Sequence, residues 1–372
     1  MRIREILFHD FRSFRGKRRI SFVDPLTDAV RPMTVIAGTN GTGKTTILDT
    51  IEALLAFALD PGNPRDLVRE ALESGLICLT LETSPRREVV GPQTTMGLFP
   101  EGSQLHIAVG RRDLAPADPE HEWPNLSCRL LQRGTSGRPF VRESDLAAYL
   151  QRTVSAMHQA ETEMLGGLIY FPHDRQLGTP RRGGPVEPPP QERQWIFHFQ
   201  NSEQWRGSLE QLWVWQNYLD LEKGLKRREN LRTFVSAVED ILGKDRLITV
   251  NEGRVQVPAG WIQDSQRTNI RLDQLPSGEK QCLLLFGELA RRRRKGAVLA
   301  IDEPEISLHP TLQRLVVHRL QQWAREWDSQ IILATHSLEI LRSVHESERI
   351  ILDHLEDCAT QPKEDYATVS HH

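Results

Sequence analysis

The sequence predicts an α/β fold, a parallel sheet whose strands end together at one edge and carry helices on both faces. Three observations carry that expectation. The run Gly38-Thr39-Asn40-Gly41-Thr42-Gly43-Lys44-Thr45 fits the phosphate-loop pattern at every fixed position, and lies between an apolar strand at 34–37 and a helix-like stretch at 46–55. Ala297-Val298-Leu299-Ala300-Ile301 reads as a second buried strand that ends in Asp302-Glu303. Ile331-Ile332-Leu333-Ala334-Thr335 reads as a third, with His336 just past its end. Unbroken apolar runs of this length suit strands covered on both faces.

The loop's chemistry is set by its residues. Glycines let the backbone curl until its N–H groups point at phosphate oxygens, and the helix N-terminus adds partial positive charge. Lys44 supplies a mobile ammonium for the β- and γ-phosphates, and Thr45 a hydroxyl for Mg²⁺. Asn40, Gly41, Thr42, Gly43 and Thr46 complete the cradle. A mere Gly-rich turn would require neither the Lys-Thr pair nor its flanking strand and helix. The chain is therefore expected to bind a nucleoside triphosphate. A strand ending in two acids delivers them to the nucleotide edge of such a sheet. Asp302 is then placed for the Mg²⁺ shell and Glu303 for taking the proton of an attacking water.

A further signal precedes that strand. Leu275-Pro276-Ser277-Gly278-Glu279-Lys280-Gln281 opens an amphipathic stretch at 282–289, and Ser277 stands 25 residues before Asp302. Together these residues resemble the ABC ATPase superfamily. Ser277-Gly278-Glu279 matches its signature motif, Asp302-Glu303 its Walker B pair and His336 its switch histidine. The resemblance implies that ATP and Mg²⁺ are the ligands, and that Lys44, Glu303 and His336 serve hydrolysis. It also implies that Ser277, Gly278 and Glu279 meet the γ-phosphate held by an opposing subunit. A homodimer, or a higher oligomer, would then sandwich ATP.

The branch can be narrowed. Glu303-Pro304-Glu305-Ile306-Ser307-Leu308-His309-Pro310 is similar to the soluble DNA-repair and phage-defence ATPases related to RecF, Rad50 and OLD. So is the opening Ile3-Arg4-Glu5-Ile6-Leu7-Phe8 with Asp10-Phe11-Arg12-Ser13-Phe14, where Asp10 stands in place of the usual Asn. A strand at 167–172 leads into the Q-loop, where Arg175 and Gln176 are both candidates for the metal- and water-contacting position. The resemblance to Septu- and PARIS-type ATPase subunits implies a switch or clamp in antiphage defence beside a separate effector, a nuclease. The alternative is a RecF-like repair ATPase that binds duplex DNA itself. A transporter subunit fits less well, because the 303–310 wording differs from transporter cassettes and no apolar run reaches the roughly 18–20 residues that span a bilayer.

Along the chain, 1–165 is expected to form an N-terminal ATPase lobe with the phosphate loop and an antiparallel β-subdomain, including strands at 76–81 and 105–109 and a helix at 142–165. Residues 166–272 should hold the Q-loop, a mobile Pro/Gly-rich loop at 176–192, an inserted helical lobe at 205–243 and short strands after 246. Residues 273–355 form the C-terminal ATPase lobe, with helices at 311–327 and 338–343 and a strand at 349–352, before a polar tail at 356–372. Lys44 and Ser277 are 233 residues apart with no sustained heptads, so no long coiled coil is expected. The short stretch after the last strand leaves no room for an appended nuclease domain.

A net charge of −3 makes no global case for nucleic acid, although a local patch remains open. Arg291-Arg292-Arg293-Arg294-Lys295 fits a solvated helix end complementing the dipole better than a phosphate-backbone contact. Trp195, Trp205, Trp213 and Trp215 are more often core than a base-stacking platform, and their best functional use is a protein surface anchored by Trp213 or Trp215. His173, close to Pro172 and Arg175, could join the nucleotide site, but a lone loop histidine is more often structural. Four separated cysteines and the charged N-terminus suit a cytoplasmic protein without a membrane anchor.

Overall fold

The computed structural model describes residues 1–82, 104–116, 126–132, 140–142, 166–190, 194–224, 229–243, 248–258 and 269–353. The N-terminal part runs β1 (Arg2–Phe11), β2 (Phe14–Ser21), β3 (Met33–Ala37), α1 (Lys44–Leu59), α2 (Asp66–Ser74), β4 (Leu76–Glu82), β5 (Gln104–Arg111), β6 (Leu126–Gln132) and β7 (Phe140–Arg142). The middle part holds β8 (Leu168–Phe171), β9 (Ile196–His198), α3 (Leu209–Glu222), α4 (Glu229–Leu242), β10 (Thr249–Asn251), β11 (Arg254–Pro258) and β12 (Asn269–Arg271). The C-terminal part holds α5 (Ser277–Arg292), β13 (Val298–Asp302), α6 (Pro310–Glu326), β14 (Gln330–Thr335), α7 (Leu338–Arg342) and β15 (Arg349–Ile351). The helix expected at 142–165 and the tail from 356 lie outside the described residues.

The central sheet has the order β15-β3-β14-β13-β8-β9, and every neighbouring pair is parallel. Its four inner strands are buried on both faces, and alternation divides their side chains between two cores. Val35, Ile169, Phe171, Leu299, Ile301, Ile331 and Leu333 join the cluster that includes α3, α4, α5 and α6. Ile36, Leu168, Tyr170, Val298, Ala300, Ile332 and Ala334 face α1, α2 and the first strands. Helices α1 and α5 therefore cover opposite faces. The fold is the expected α/β arrangement around a parallel sheet, and the longest described helix has 17 residues, too short for a coiled-coil arm.

The second sheet, β2-β1-β4-β5-β6-β7, is antiparallel except for the parallel β5/β6 pair. It braces the phosphate loop. The Phe8 and Phe14 rings stack 4.2 Å apart, and a Cβ on Gly43 would stand 2.7 Å from the Phe14 ring. With φ at 99° as well, position 43 admits only glycine without strain. Asp10 has φ 49° and its carboxylate accepts the Gly16 N–H at 2.7 Å, a conformation and a bond that asparagine would also supply.

The helical lobe begins at α3, capped by the Ser208 hydroxyl, which accepts from the Gln211 N–H. Trp213 is fully buried against Gly287, where a Cβ would come within 2.5 Å of Leu209 and 3.0 Å of the Trp213 ring. Trp213 is therefore core and cannot anchor a partner. Trp215 is half-buried, stacks on Tyr218 at 5.3 Å, and leads along the helix to exposed Leu221. Residues 176–190 form no helix or strand, as a loop should. They are pinned where Trp205 Nε1 donates to the Pro185 carbonyl and Arg254 to the Pro180 carbonyl.

The basic run that ends α5 is less solvated than expected. Arg291 donates to the Gly207 carbonyl, Arg292 pairs with Glu288 and lies over the Phe197 ring, and Arg294 donates to the Gln194, Leu168 and Trp195 carbonyls. Burial lowers the Arg294 guanidinium to about 10. These arginines fasten α5 to the β8–β9 edge. The contrast between the two lobe tryptophans has a direct readout. Trp213→Ala should cost about 3–5 kcal/mol of unfolding free energy, the usual loss for a buried ring of this size, whereas Trp215→Ala should cost far less. Urea titration followed by circular dichroism measures both, and equal midpoints would contradict the packing.

Candidate nucleotide site

β3 ends at Ala37 and the chain turns through Gly41 (φ 86°) and Gly43 (φ 99°) into α1. Asn40 and Gly41 form the exposed crest, while Lys44 is buried beneath it. The Lys44 ammonium donates to the Gly38 and Thr39 carbonyls at 2.8 Å each, which holds its charge inside the loop. Thr42 closes the same turn through its hydroxyl onto the Thr39 carbonyl. Thr39 is fastened from outside: its N–H and hydroxyl donate to the Asp353 carboxylate just after β15. Asp353 had no signal in the sequence, because its place depends on β15 pairing with β3. Thr46 lies in the first turn of α1, and its carbonyl accepts the Thr50 hydroxyl.

Thr45 donates its hydroxyl to Asp302 Oδ2 at 2.8 Å, joining the first turn of α1 to the end of β13. Asp302 is fully buried, and its Oδ1 has no protein hydrogen-bond partner. Burial pushes its carboxyl above the ordinary range, the Thr45 hydrogen bond opposes this, and neighbouring Glu303 adds to the rise. A buried carboxylate with an unpaired oxygen, beside a threonine hydroxyl, is a hard oxygen donor set that suits a divalent cation.

Glu303 comes next in the left-handed region at φ 47°, an unusual place for a side chain this long, at a cost of order 1 kcal/mol or more. Its N–H donates to the Ala334 carbonyl at 2.8 Å, and its Oε1 lies 3.5 Å from His336 Nδ1. Glu305 completes this end of the site. Its buried Oε1 accepts the Thr335 hydroxyl at 2.6 Å and the His336 N–H at 2.9 Å, and stands 3.5 Å from His336 Nδ1. The imidazole thus sits between two carboxylates. The role of Glu305 depends on partners 30 and 31 positions away, which the local Glu-Pro-Glu spacing does not reveal.

The loop after β8 places its two candidate residues differently. Arg175 is 2 % exposed, and donates to the carbonyls of Pro172 (3.0 Å), Asp302 (2.6 Å) and Glu303 (2.9 Å). Burial lowers its guanidinium to about 10, against the raising fields of Asp302, Glu305, Glu303 and Asp174. This cation clamps the backbone of the strained turn, so it is no candidate for contacting a metal. Gln176 is exposed, and its N–H donates to Asn201 Oδ1. The loop side chain that does reach Asp302 is His173, with Nδ1 3.5 Å from Oδ2.

Ser277, Gly278 and Glu279 form the first turn of α5 with no side-chain cap at Pro276. Ser277 is exposed, and a Cβ on Gly278 would meet the Ser307 carbonyl at 2.7 Å, so this turn packs closely on the segment after β13. The structure therefore gathers Lys44, Thr45, Asp302, Glu303 and His336 on one sheet edge. It leaves Ser277–Glu279 on the helix that covers the opposite face from α1.

Two family models match separate parts of the chain. Residues 5–89 match a family described as AAA domain, and residues 189–342 match one described as AAA domain, putative AbiEii toxin, Type IV TA system. No curated protein matches the sequence. Among solved structures, an SMC head bound to the C-winged helix domain of ScpA is 13% identical over 92% of each chain, with a TM-score of 0.48. The SMC head domain from Thermotoga maritima is 15% identical over 92% of each chain, with a TM-score of 0.45. An Smc head with an extended coiled coil, bound to the C-terminal domain of ScpA derived from Pyrococcus furiosus, is 12% identical over 92% of each chain, with a TM-score of 0.46.

The Arg175 clamp is open to test without any ligand. Arg175→Ala leaves three carbonyls without their donor and should lower unfolding free energy by about 2 kcal/mol or more, since buried hydrogen bonds to a charged group contribute about 1.5–3 kcal/mol each. Denaturant titration of the variant against wild type decides it, and an unchanged midpoint would mean that the turn holds itself.

Proposed function

We propose that the chain is an ATPase head of the ABC type, which hydrolyses ATP at a head-to-head dimer interface and works as a nucleotide-driven switch. The observation that carries this reading is the Thr45–Asp302 hydrogen bond, which closes the phosphate loop onto the Walker B strand with the Lys44 ammonium inside. Lys44 and the loop N–H groups would bind the β- and γ-phosphates. Thr45 and Asp302 would hold a divalent ion, which when bound neutralises charge developing on the transferred phosphoryl group. Glu303 would accept the proton of the attacking water, and His336, held by Glu303 and Glu305, would orient toward the γ-phosphate. Ser277, Gly278 and Glu279 would serve the site of the opposing head.

The biological setting proposed is antiphage defence with a separate nuclease effector. It is supported by the 303–310 wording and by the toxin–antitoxin description of the family that matches 189–342. A duplex-DNA clamp draws less support, because three arginines of the run at 291–295 already have partners within the head. The surface proposed for the effector is the α3 face of Trp215, Tyr218 and Leu221. Trp215→Ala should weaken co-purification of a co-expressed nuclease partner by roughly 30-fold, about 2 kcal/mol, while ATP turnover stays at wild-type level. Undiminished co-purification would move the docking face elsewhere.

The chemistry has its own test. Glu303→Gln should keep ATP binding and lose about 10²-fold or more in turnover, since general-base assistance contributes 10²–10⁴. Lys44→Ala should instead weaken ATP binding, and Ser277→Arg should stop turnover while leaving binding intact. Mixing Lys44→Ala with Ser277→Arg chains gives heterodimers with one site carrying both lesions and one carrying neither. Phosphate release that recovers on mixing supports the sandwich. A strict monomer with full turnover in sedimentation and phosphate-release assays would sink it.

A further inference from the structure

The ion site has a third donor of a different chemical kind. β8 and β13 are parallel, with Phe171 paired to Ile301, so the chain leaving β8 passes directly beside Asp302. Two residues beyond that pair, His173 Nδ1 lies 3.5 Å from Asp302 Oδ2, the same oxygen that accepts the Thr45 hydroxyl at 2.8 Å. Arg175 is spent on backbone carbonyls and Gln176 is directed outward. His173 itself is half-exposed, so its ring has room to adjust.

The spacing is that of neighbouring ligands on one ion. Two donors each about 2.1 Å from a metal, at angles of about 90–110°, stand about 3.0–3.5 Å apart. Carboxylate, hydroxyl and phosphate oxygens with an imidazole nitrogen make a mixed oxygen–nitrogen shell. Mg²⁺ takes oxygen ligands and keeps its waters, whereas imidazole raises affinity for first-row transition ions.

We propose that His173 is a direct ligand, through its imidazole nitrogen, of the nucleotide-bound divalent ion, and that the site favours a first-row transition ion over Mg²⁺. This rests on the nucleotide-site reading above, and extends it to the identity of the ion. It assigns His173 a role in place of the structural one that a lone loop histidine more often has. It also leaves the Q-loop position without a glutamine amide.

The test uses the full chain with Mn²⁺ and a non-hydrolysable ATP analogue. Pulsed electron paramagnetic resonance on protein labelled with ¹⁵N-histidine should show a hyperfine coupling from one directly bound imidazole nitrogen. The coupling should vanish in His173→Gln and in His173→Ala, while the analogue remains bound. The Mg²⁺ concentration that displaces Mn²⁺ should fall by about tenfold or more in both variants. Mn²⁺–nucleotide bound without nitrogen coupling, or a coupling that survives both substitutions, would overturn the ligand assignment and leave the nucleotide site standing. Failure of wild type to bind the analogue with any divalent ion would overturn both.

Discussion

The parallel register of β3, β14, β13 and β8 is the constraint on which the site depends. Thr34 pairs with Ile332, Ile332 with Ala300, and Ala300 with Tyr170, so four strands end level with one another. The residues just past each strand end are thereby brought to one edge: the phosphate loop, His336, Asp302-Glu303 and His173. They are scattered over nearly 300 positions of sequence. Parallel pairing also requires the connections to cross the sheet faces, and it is these crossings that α1, α5 and α6 supply. A slip of one residue would exchange the two core faces and turn Asp302 away from Thr45.

At this edge a buried cation controls backbone shape. Arg175 gives up solvation to reach three carbonyls, and two of them belong to Asp302 and Glu303, the residues on either side of the entry into the left-handed turn. The cost of burying a guanidinium is offset because its donors meet fixed carbonyls beside the site's carboxylates. The Gln281 amide donates to the Arg175 carbonyl, so α5, which begins at Ser277, is bonded to the residue that shapes the Asp302–Glu303 turn. That gives a covalent-and-hydrogen-bonded route between the two motifs within one head.

Much of this was legible in the sequence, for identifiable reasons. The phosphate loop, both long apolar strands and the helices around them declare themselves through local pattern: glycine spacing, unbroken Val/Ile/Leu runs and 3.6-residue periodicity. Asp10 could be recognised in place of asparagine because the two side chains satisfy the same left-handed turn. The misses have a common cause in long-range partners. Arg175 and Gln176 are adjacent, and only the position of the Asp302 carbonyl decides that the first turns inward. Asp353 matters through Thr39, 314 positions away in sequence. Trp213 and Trp215 differ by a rotation of about 200° around the helix, which puts one ring against Gly287 and the other at the surface; periodicity supplies that contrast, but only Gly287 reveals which face is inner.

The two helix N-termini explain why a single head invites a second. α1 leaves the carboxyl edge of the sheet after β3, while α5 runs back along the sheet to feed β13, so both helices present their N-terminal N–H groups at that same edge. They lie on opposite faces, however, with the full thickness of the sheet between them. One bound triphosphate cannot engage both. Ser277 is exposed and Pro276 provides no cap, so the α5 terminus offers its donors outward, and Gly278 keeps the turn close to Ser307 without a side chain in the way. A two-fold arrangement of heads would let each α5 terminus meet the phosphate loop of the other, and the same patch would serve on both subunits. The proposed sandwich is thus the closed assembly in which both anion-seeking helix ends find a phosphate.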